Sequence, residues 1–220
     1  MKKTAIFLIC VAMLAAIFTG CNKTTPYDTT ATSGGGDSAS GEGNTTTDIE
    51  LLSGKHYVEI DVKDYGLIKC ELDADTAPIT VTNFIGLVES GFYDGLTFHR
   101  IIDGFMVQGG DPKGDGTGGS GTNIKGEFSA NGVENDILHV RGTVSMARAS
   151  DPNSASSQFF IVQQDYSNGD GQYAGFGTVL EGMEVVDALC ADAASMGPDG
   201  NGIIPRENQP VINSIKVVEG

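Results

Sequence analysis

The sequence predicts a mainly β fold for its folded part: an eight-stranded antiparallel barrel whose open ends are capped by two α-helices. Three observations lead there. Eight short runs rich in β-branched and aromatic residues follow one another between Tyr57 and Val218, several of them alternate apolar and polar residues, and Gly-bearing turns separate them. Only two segments carry a helical period, so the sheet has to close largely on itself.

The first run, Tyr57 to Val62, sets Val58, Ile60 and Val62 against Glu59 and Asp61, and Leu67 to Leu72 follows after a short turn. The first helix is expected from Pro78 to about Ser90. Pro78 suits the opening turn, Val81, Phe84, Leu87 and Val88 share a face, and Gly91 follows the end. Thr97 to Ile102 and Phe105 to Gln108 read as strands joined by a Gly turn. Thr143 to Ala147, Phe159 to Val162 and Phe176 to Leu180 come next. The second helix is expected from Met183 to about Ala191 on the stripe Val185, Val186, Leu189. Val211 to Val218 supplies the last strand.

What precedes the barrel is of another kind. Lys2 and Lys3 introduce an apolar run from Ala5 to Phe18 that is short for a membrane span and matches a signal-peptide core, so residues 1–20 read as an export signal. Its end, Phe18-Thr19-Gly20-Cys21, resembles the lipobox of bacterial lipoproteins, which implies acylation of Cys21; Phe18 replaces the usual leucine. The competing reading is a plain secretory signal, although no A-x-A site is present. Residues 21–54 are rich in Thr, Ser and Gly and read as a flexible tether. The folded domain is assigned to residues 55–220, outside the membrane in the cell envelope. Cys10 leaves with the signal, and the sequence leaves Cys70 and Cys190 either paired or as two buried thiols. With 13 Lys+Arg against 29 Asp+Glu and no basic cluster, the chain argues against nucleic acid as a partner.

The chemistry concentrates in Phe98-His99-Arg100-Ile101-Ile102-Asp103-Gly104-Phe105-Met106-Val107-Gln108-Gly109-Gly110-Asp111. Arg100 carries a permanent charge and a rigid fork of donors inside a β-type run. A solvent-facing strand arginine is the bland alternative. Gly114-Asp115-Gly116-Thr117-Gly118-Gly119 matches G-x-G-x-x-G literally, but no βαβ unit surrounds it, so it reads as a loop lying close to a backbone or ligand. His56, His99 and His139 lack metal-ligand spacing, and no histidine has a recognisable triad context. Asp111 and Asp115 miss the calcium-loop pattern and read as solvated loop carboxylates. No metal or cofactor is expected.

A second stretch, Gly142-Thr143-Val144-Ser145-Met146-Ala147-Arg148-Ala149, leads to Ser157-Gln158-Phe159-Phe160-Ile161-Val162 and on to Phe176-Gly177. Together the two stretches resemble the cyclophilin-type peptidyl-prolyl cis/trans isomerases, in order from about Tyr57 to Glu219. That resemblance implies an eight-stranded barrel with two capping helices. It implies Arg100 as the catalytic arginine, and Phe105, Met106 and Phe160 as apolar walls for the proline ring. Gln108 and Gln158 would be polar rim groups, Ala147 and Arg148 the edge that pairs with the substrate backbone, and Gly116 and Thr117 part of the loop beside the neighbouring subsite. Strand alternation separates Phe105 from Met106 unless Phe105 sits at the irregular start of its strand. Two departures stand out. Tyr173 replaces the pocket histidine of many members, and their nearby tryptophan is absent, with Asn168 or Gly169 near its place, which predicts a less apolar open side and weaker binding of cyclosporin-type ligands. The implied partners are proline-containing unfolded or exported polypeptides, and the implied role is help in folding. The alternative reading is a module that binds proline peptides with incidental turnover.

Overall fold

The structure is a computed structural model that describes residues 50–220; the expected signal peptide, Cys21 and the tether up to residue 49 lie outside the described residues. The eight strands are β1 (Lys55–Val62), β2 (Gly66–Asp73), β3 (Phe98–Ile102), β4 (Met106–Gly109), β5 (Thr143–Met146), β6 (Phe159–Val162), β7 (Gly175–Glu181) and β8 (Ile212–Val218). The helices are α1 (Pro78–Glu89) and α2 (Met183–Asp192). Every expected strand and both helices are present, with ends displaced by a residue or two. Four short 3-10 turns, at 129–131, 167–169, 193–196 and 206–208, carry no period that sequence reading detects.

The strands form one antiparallel sheet in the order β3-β4-β6-β5-β7-β2-β1-β8. Its two edge strands meet at one corner. Thr97 pairs with Val211, the Phe98 N–H donates to Pro210 O at 2.9 Å, and the Ile212 N–H donates to Leu96 O at 2.8 Å. Inside the barrel, Ile60, Ile68, Leu72, Ile101, Val107, Val144 and Ile161 are all at most 1% exposed. Phe84 of α1 plugs one end, with ring centroids 5.0 to 5.4 Å from Tyr93, Phe159 and Phe176. Burying such a ring stabilises the fold by roughly 1.5–3 kcal/mol. α2 packs against β2, β3 and β4, and its Val185, Val186, Leu189 and Cys190 are buried.

The register of β3 decides where the site lies. A bulge interrupts the β3–β4 ladder between Phe98 and Arg100, so that Phe98 and Ile101, three residues apart, both enter the core. Without it, Arg100 would share the inward face with Phe98; the bulge turns it outward.

Three further features correct or complete the sequence reading. Leu52 and Gly54, assigned to the tether, are tied to the domain: the Leu52 N–H donates to Thr82 Oγ1 at 2.9 Å and the Gly54 N–H to Asp75 Oδ1 at 2.7 Å. The N-cap of α1 is Ala77, which offers no acceptor. Its place is taken by the buried Glu127, whose carboxylate accepts the N–H of Ile79 at 3.0 Å and both the N–H and the hydroxyl of Thr80 at 2.7 Å. Cys70 and Cys190 are unpaired and buried, and burial pushes each thiol up to about 12.

Candidate active site

One cross-strand row carries the polar chemistry. Arg100 on β3 lies opposite Gln108 on β4, Gln108 opposite Phe160 on β6, and Phe160 opposite Ser145 on β5. The next row on the same face pairs Ile102, Met106 and Val162. The site is therefore built on the outer face of the β3–β4–β6–β5 quarter of the barrel, where rigid strands fix the spacing of every member.

Arg100 is held from two sides. Its Nε donates to Asn201 O at 2.8 Å and its Nη1 to Gln108 Oε1 at 3.2 Å, while its Nη2 meets no hydrogen-bond partner among the described residues. Burial pulls its pKa below the ordinary value, partly offset by Tyr173, Asp199 and Tyr166, yet a guanidinium stays protonated across the working pH range. The chain of donors continues: Gln108 Nε2 donates to Gln158 Oε1 at 2.9 Å, and Gln158 Nε2 to Gly118 O at 2.8 Å and Gly116 O at 3.1 Å. Arg100 is thus oriented through a relay that ends on the Gly-rich loop.

That loop is shaped by Asp111, which the sequence reading left as a solvated carboxylate. It is fully buried and accepts the N–H groups of Lys113 at 2.8 Å, Asp115 at 3.2 Å and Gly116 at 2.6 Å. Burial alone would raise its pKa, but the N–H groups of Lys113, Gly118 and Gly116 outweigh it and hold the group below the usual carboxylate range. At Gly118 a Cβ would strike the Asp111 carboxylate, so the close wrapping of this loop requires glycine.

Beside Arg100 the apolar residues gather. Met106, Phe160 and Val162 form a buried cluster against which Ile102, Phe105, Ala147, Tyr166 and Tyr173 pack. Phe105 lies in the turn before β4, its N–H donating to Ile102 O at 3.0 Å, and that irregular position lets it share the cluster with Met106. A groove of about 530 Å³ adjoins the cluster, lined by Gln108, Gly116, Thr117, Ala147, Arg148 and Gln158 among others. The Arg148 side chain folds back between two rings, its guanidinium carbon 5.0 Å from Phe128 and 4.9 Å from Tyr173, and its Nε donates to Gln172 O at 3.0 Å. It therefore stiffens Tyr173.

The open side of the cluster differs from expectation. Asn168 is exposed and Gly169 is buried beneath Tyr166 and His139, where a Cβ would come within 2.9 Å of either ring. Neither forms the surface. Tyr166 does so instead, with its ring 4.5 Å from that of Phe105. The sequence signal was an aromatic just ahead of the Ser-Asn-Gly turn. His139, which stacks on Phe160, was also missed because it lies 21 residues away from it in the chain.

Comparison with known proteins identifies the family. A family model described as cyclophilin type peptidyl-prolyl cis-trans isomerase/CLD matches residues 57–217. A peptidyl-prolyl cis-trans isomerase A from Dickeya dadantii is 42% identical over 165 residues, covering 70% of this chain and 80% of the relative. A peptidyl-prolyl cis-trans isomerase B from Bacillus subtilis is 46% identical over 123 residues, covering 56% and 82%. Among solved structures, a cyclophilin-type isomerase from Cryptosporidium parvum, crystallised in the presence of the dipeptide Ala-Pro, superposes with a TM-score of 0.64 at 32% identity, covering 74% of this chain and 99% of the other.

Proposed function

Since the chain belongs to the cyclophilin-type peptidyl-prolyl cis-trans isomerases and is an enzyme of that activity, we propose that its reaction runs on the Arg100 row and that its substrates are X-Pro bonds of polypeptides outside the cytoplasmic membrane. The observation that carries the first part is a charged donor, fixed at the rim of the Met106–Phe160 cluster, whose Nη2 meets no partner among the described residues.

Rotation about an X-Pro bond breaks amide resonance against a barrier of roughly 18–20 kcal/mol. In the twisted state the prolyl nitrogen regains a lone pair, and a donor held near it stabilises that state more than either planar one. Phe105, Met106 and Phe160 hold the proline ring while the acyl side turns, and the apolar wall lowers the local dielectric in which the guanidinium acts. Gln108 fixes the guanidinium on one side and Asn201 O on the other, so little reorganisation is needed at the moment of rotation. The groove along Gln158, Ala147 and Thr117 receives the residues preceding proline.

The lipobox-like Phe18-Thr19-Gly20-Cys21 and the Thr/Ser/Gly-rich segment support an enzyme that is exported, acylated at Cys21 and tethered at the outer side of the membrane, where it assists the folding of newly exported chains. Replacing Cys21 with Ala should move the protein from the membrane to the soluble fraction with its isomerase rate unchanged. A variant that still sediments with membranes rules out the lipid anchor.

A further inference from the structure

Behind Phe160 lies a line of side chains, the buried Ser145 and His139 and the partly exposed Asp170, that the rotation itself does not use. His139 is 1% exposed. Its Nε2 is 2.9 Å from Ser145 Oγ and its Nδ1 is 3.2 Å from Asp170 Oδ1. The same carboxylate oxygen accepts the His139 backbone N–H at 2.7 Å, and the His139 carbonyl accepts the Tyr166 N–H at 2.7 Å. The imidazole stacks on Phe160 with centroids 5.9 Å apart and planes 20° apart, and Tyr173 meets both rings at steep angles, 6.2 and 5.7 Å away. A Ser-His-Asp line is the layout of a nucleophile relay. Ser145, however, is wholly buried, so no substrate reaches its hydroxyl. What the line does touch is the pocket wall. Ser145 is the cross-strand partner of Phe160, and Tyr166 and Tyr173 flank the turn that Asp170 anchors to His139.

We propose that His139 is a positioning residue for the proline pocket: its neutral imidazole, fixed between Ser145 and Asp170, sets the Phe160 ring and fastens the Tyr166–Tyr173 segment, so that peptide affinity depends on this ring and on its charge. The inference rests on the isomerase reading of the same pocket. A carboxylate only accepts, so Nδ1 carries the hydrogen toward Asp170 and Nε2 accepts the Ser145 hydroxyl. A proton on Nε2 removes that acceptor and places a cation against Phe160. Burial disfavours the cation, Asp170 favours it, and the balance leaves the pKa below the ordinary imidazole value. The titratable groups facing the ring are Asp170 and Tyr173, from either end of the same segment.

The test uses the full chain and reads three things from neutral pH to well below the ordinary imidazole pKa of about 6.5: KM and kcat for a proline tetrapeptide, and the Met106 methyl resonance, which reports the pocket without turnover. In the wild type KM should rise about tenfold, the size of effect that one aromatic pair and one hydrogen bond carry, as the pH falls, with kcat within about threefold. Asp170→Asn should move the midpoint of that change to lower pH, because the group favouring the cation is gone. His139→Gln, which keeps polar atoms but no ring, should show the raised KM already at neutral pH and no acid limb. His99 is the other buried imidazole near the site, beside Asp111 and Arg100. An acid limb whose midpoint ignores Asp170→Asn belongs to His99 and overturns the proposal. So does a folded His139→Gln variant with wild-type KM. A wild type without turnover whose Met106 signal still titrates, with the midpoint displaced by Asp170→Asn, would sink the isomerase reading and leave the positioning role standing.

Discussion

Replacing Arg100 with alanine should separate catalysis from binding and from folding. In the folded state the side chain makes two hydrogen bonds, one to Asn201 O and one to Gln108 Oε1. Both acceptors lie at a partly exposed surface, so their combined net worth is about 1–2 kcal/mol. That corresponds to a lowering of Tm by about 2–8 °C for a domain of this size. The reaction should be affected much more. A preorganised donor aimed at charge that develops only in the transition state is worth about 3 kcal/mol, or roughly a hundredfold in rate. The planar ground state offers no lone pair on nitrogen, so peptide affinity should change by less than about threefold. Arg100→Lys should recover little, because one ammonium on a flexible stem cannot hold Asn201 O and Gln108 while presenting a third donor to the substrate. The assay is NMR exchange between cis and trans forms of an Ala-Pro tetrapeptide at catalytic enzyme concentration, with a melting curve and a peptide titration on the same preparation. If the Arg100→Ala protein melts normally and still exchanges the peptide at near wild-type rate, the row is not the catalytic element, and a proline-binding module becomes the better description of the groove.

Phe160→Ala should weaken peptide binding more than it slows the bound peptide, and should cost about 3 kcal/mol of stability because the ring is nearly buried, checked by titration and denaturant unfolding. Tyr166→Ala should open the pocket mouth and raise KM several-fold, with Asn168→Ala silent in the same assay; equal effects would show that Tyr166 does not form the wall. Cyclosporin-type ligands should bind more weakly than they do to relatives with a tryptophan at the mouth, and Tyr166→Ala should weaken them further, measured by inhibition of peptide exchange. Glu127→Ala should leave kcat unchanged but strand the N–H groups of Ile79 and Thr80 and the buried Thr80 hydroxyl, lowering stability by about 2–3 kcal/mol in calorimetry.

Much of this was legible in the sequence because the responsible signals are local. Alternation in Val58, Ile60 and Val62 against Glu59 and Asp61 marks β1 with its inward face, and Pro78 with Gly91 brackets α1. The residues that gather around the groove were named through the family resemblance that two locally contiguous stretches, 98–111 and 142–162, carry. What escaped depends on distant pairings. Nothing near Ala77 indicates that its helix is capped by Glu127, which lies 47 residues beyond Thr80. Tyr166 takes its place at the pocket mouth only because its N–H is anchored on His139 O, and Asp170 reaches His139 from 31 residues away. The bulge in β3 is also invisible to strict alternation, which would have buried Arg100 together with Phe98.

The position of β8 bears on how the chain comes to its native state. β1 lies between β2 and β8, and Tyr57 near the start of the domain pairs with Val218 near its end. Pairings that span nearly a whole domain fold slowly, on the order of milliseconds to seconds, because the loop must close before the contact compensates for it. A chain emerging from its amino terminus therefore carries β1 as an unpaired edge until its last segment arrives, an edge open to other chains in the meantime. The connection leading into β8 supplies Asn201 O to Arg100 and pairs Ile203 with it. Loss of β8 would therefore yield an aggregating species rather than a weakened enzyme.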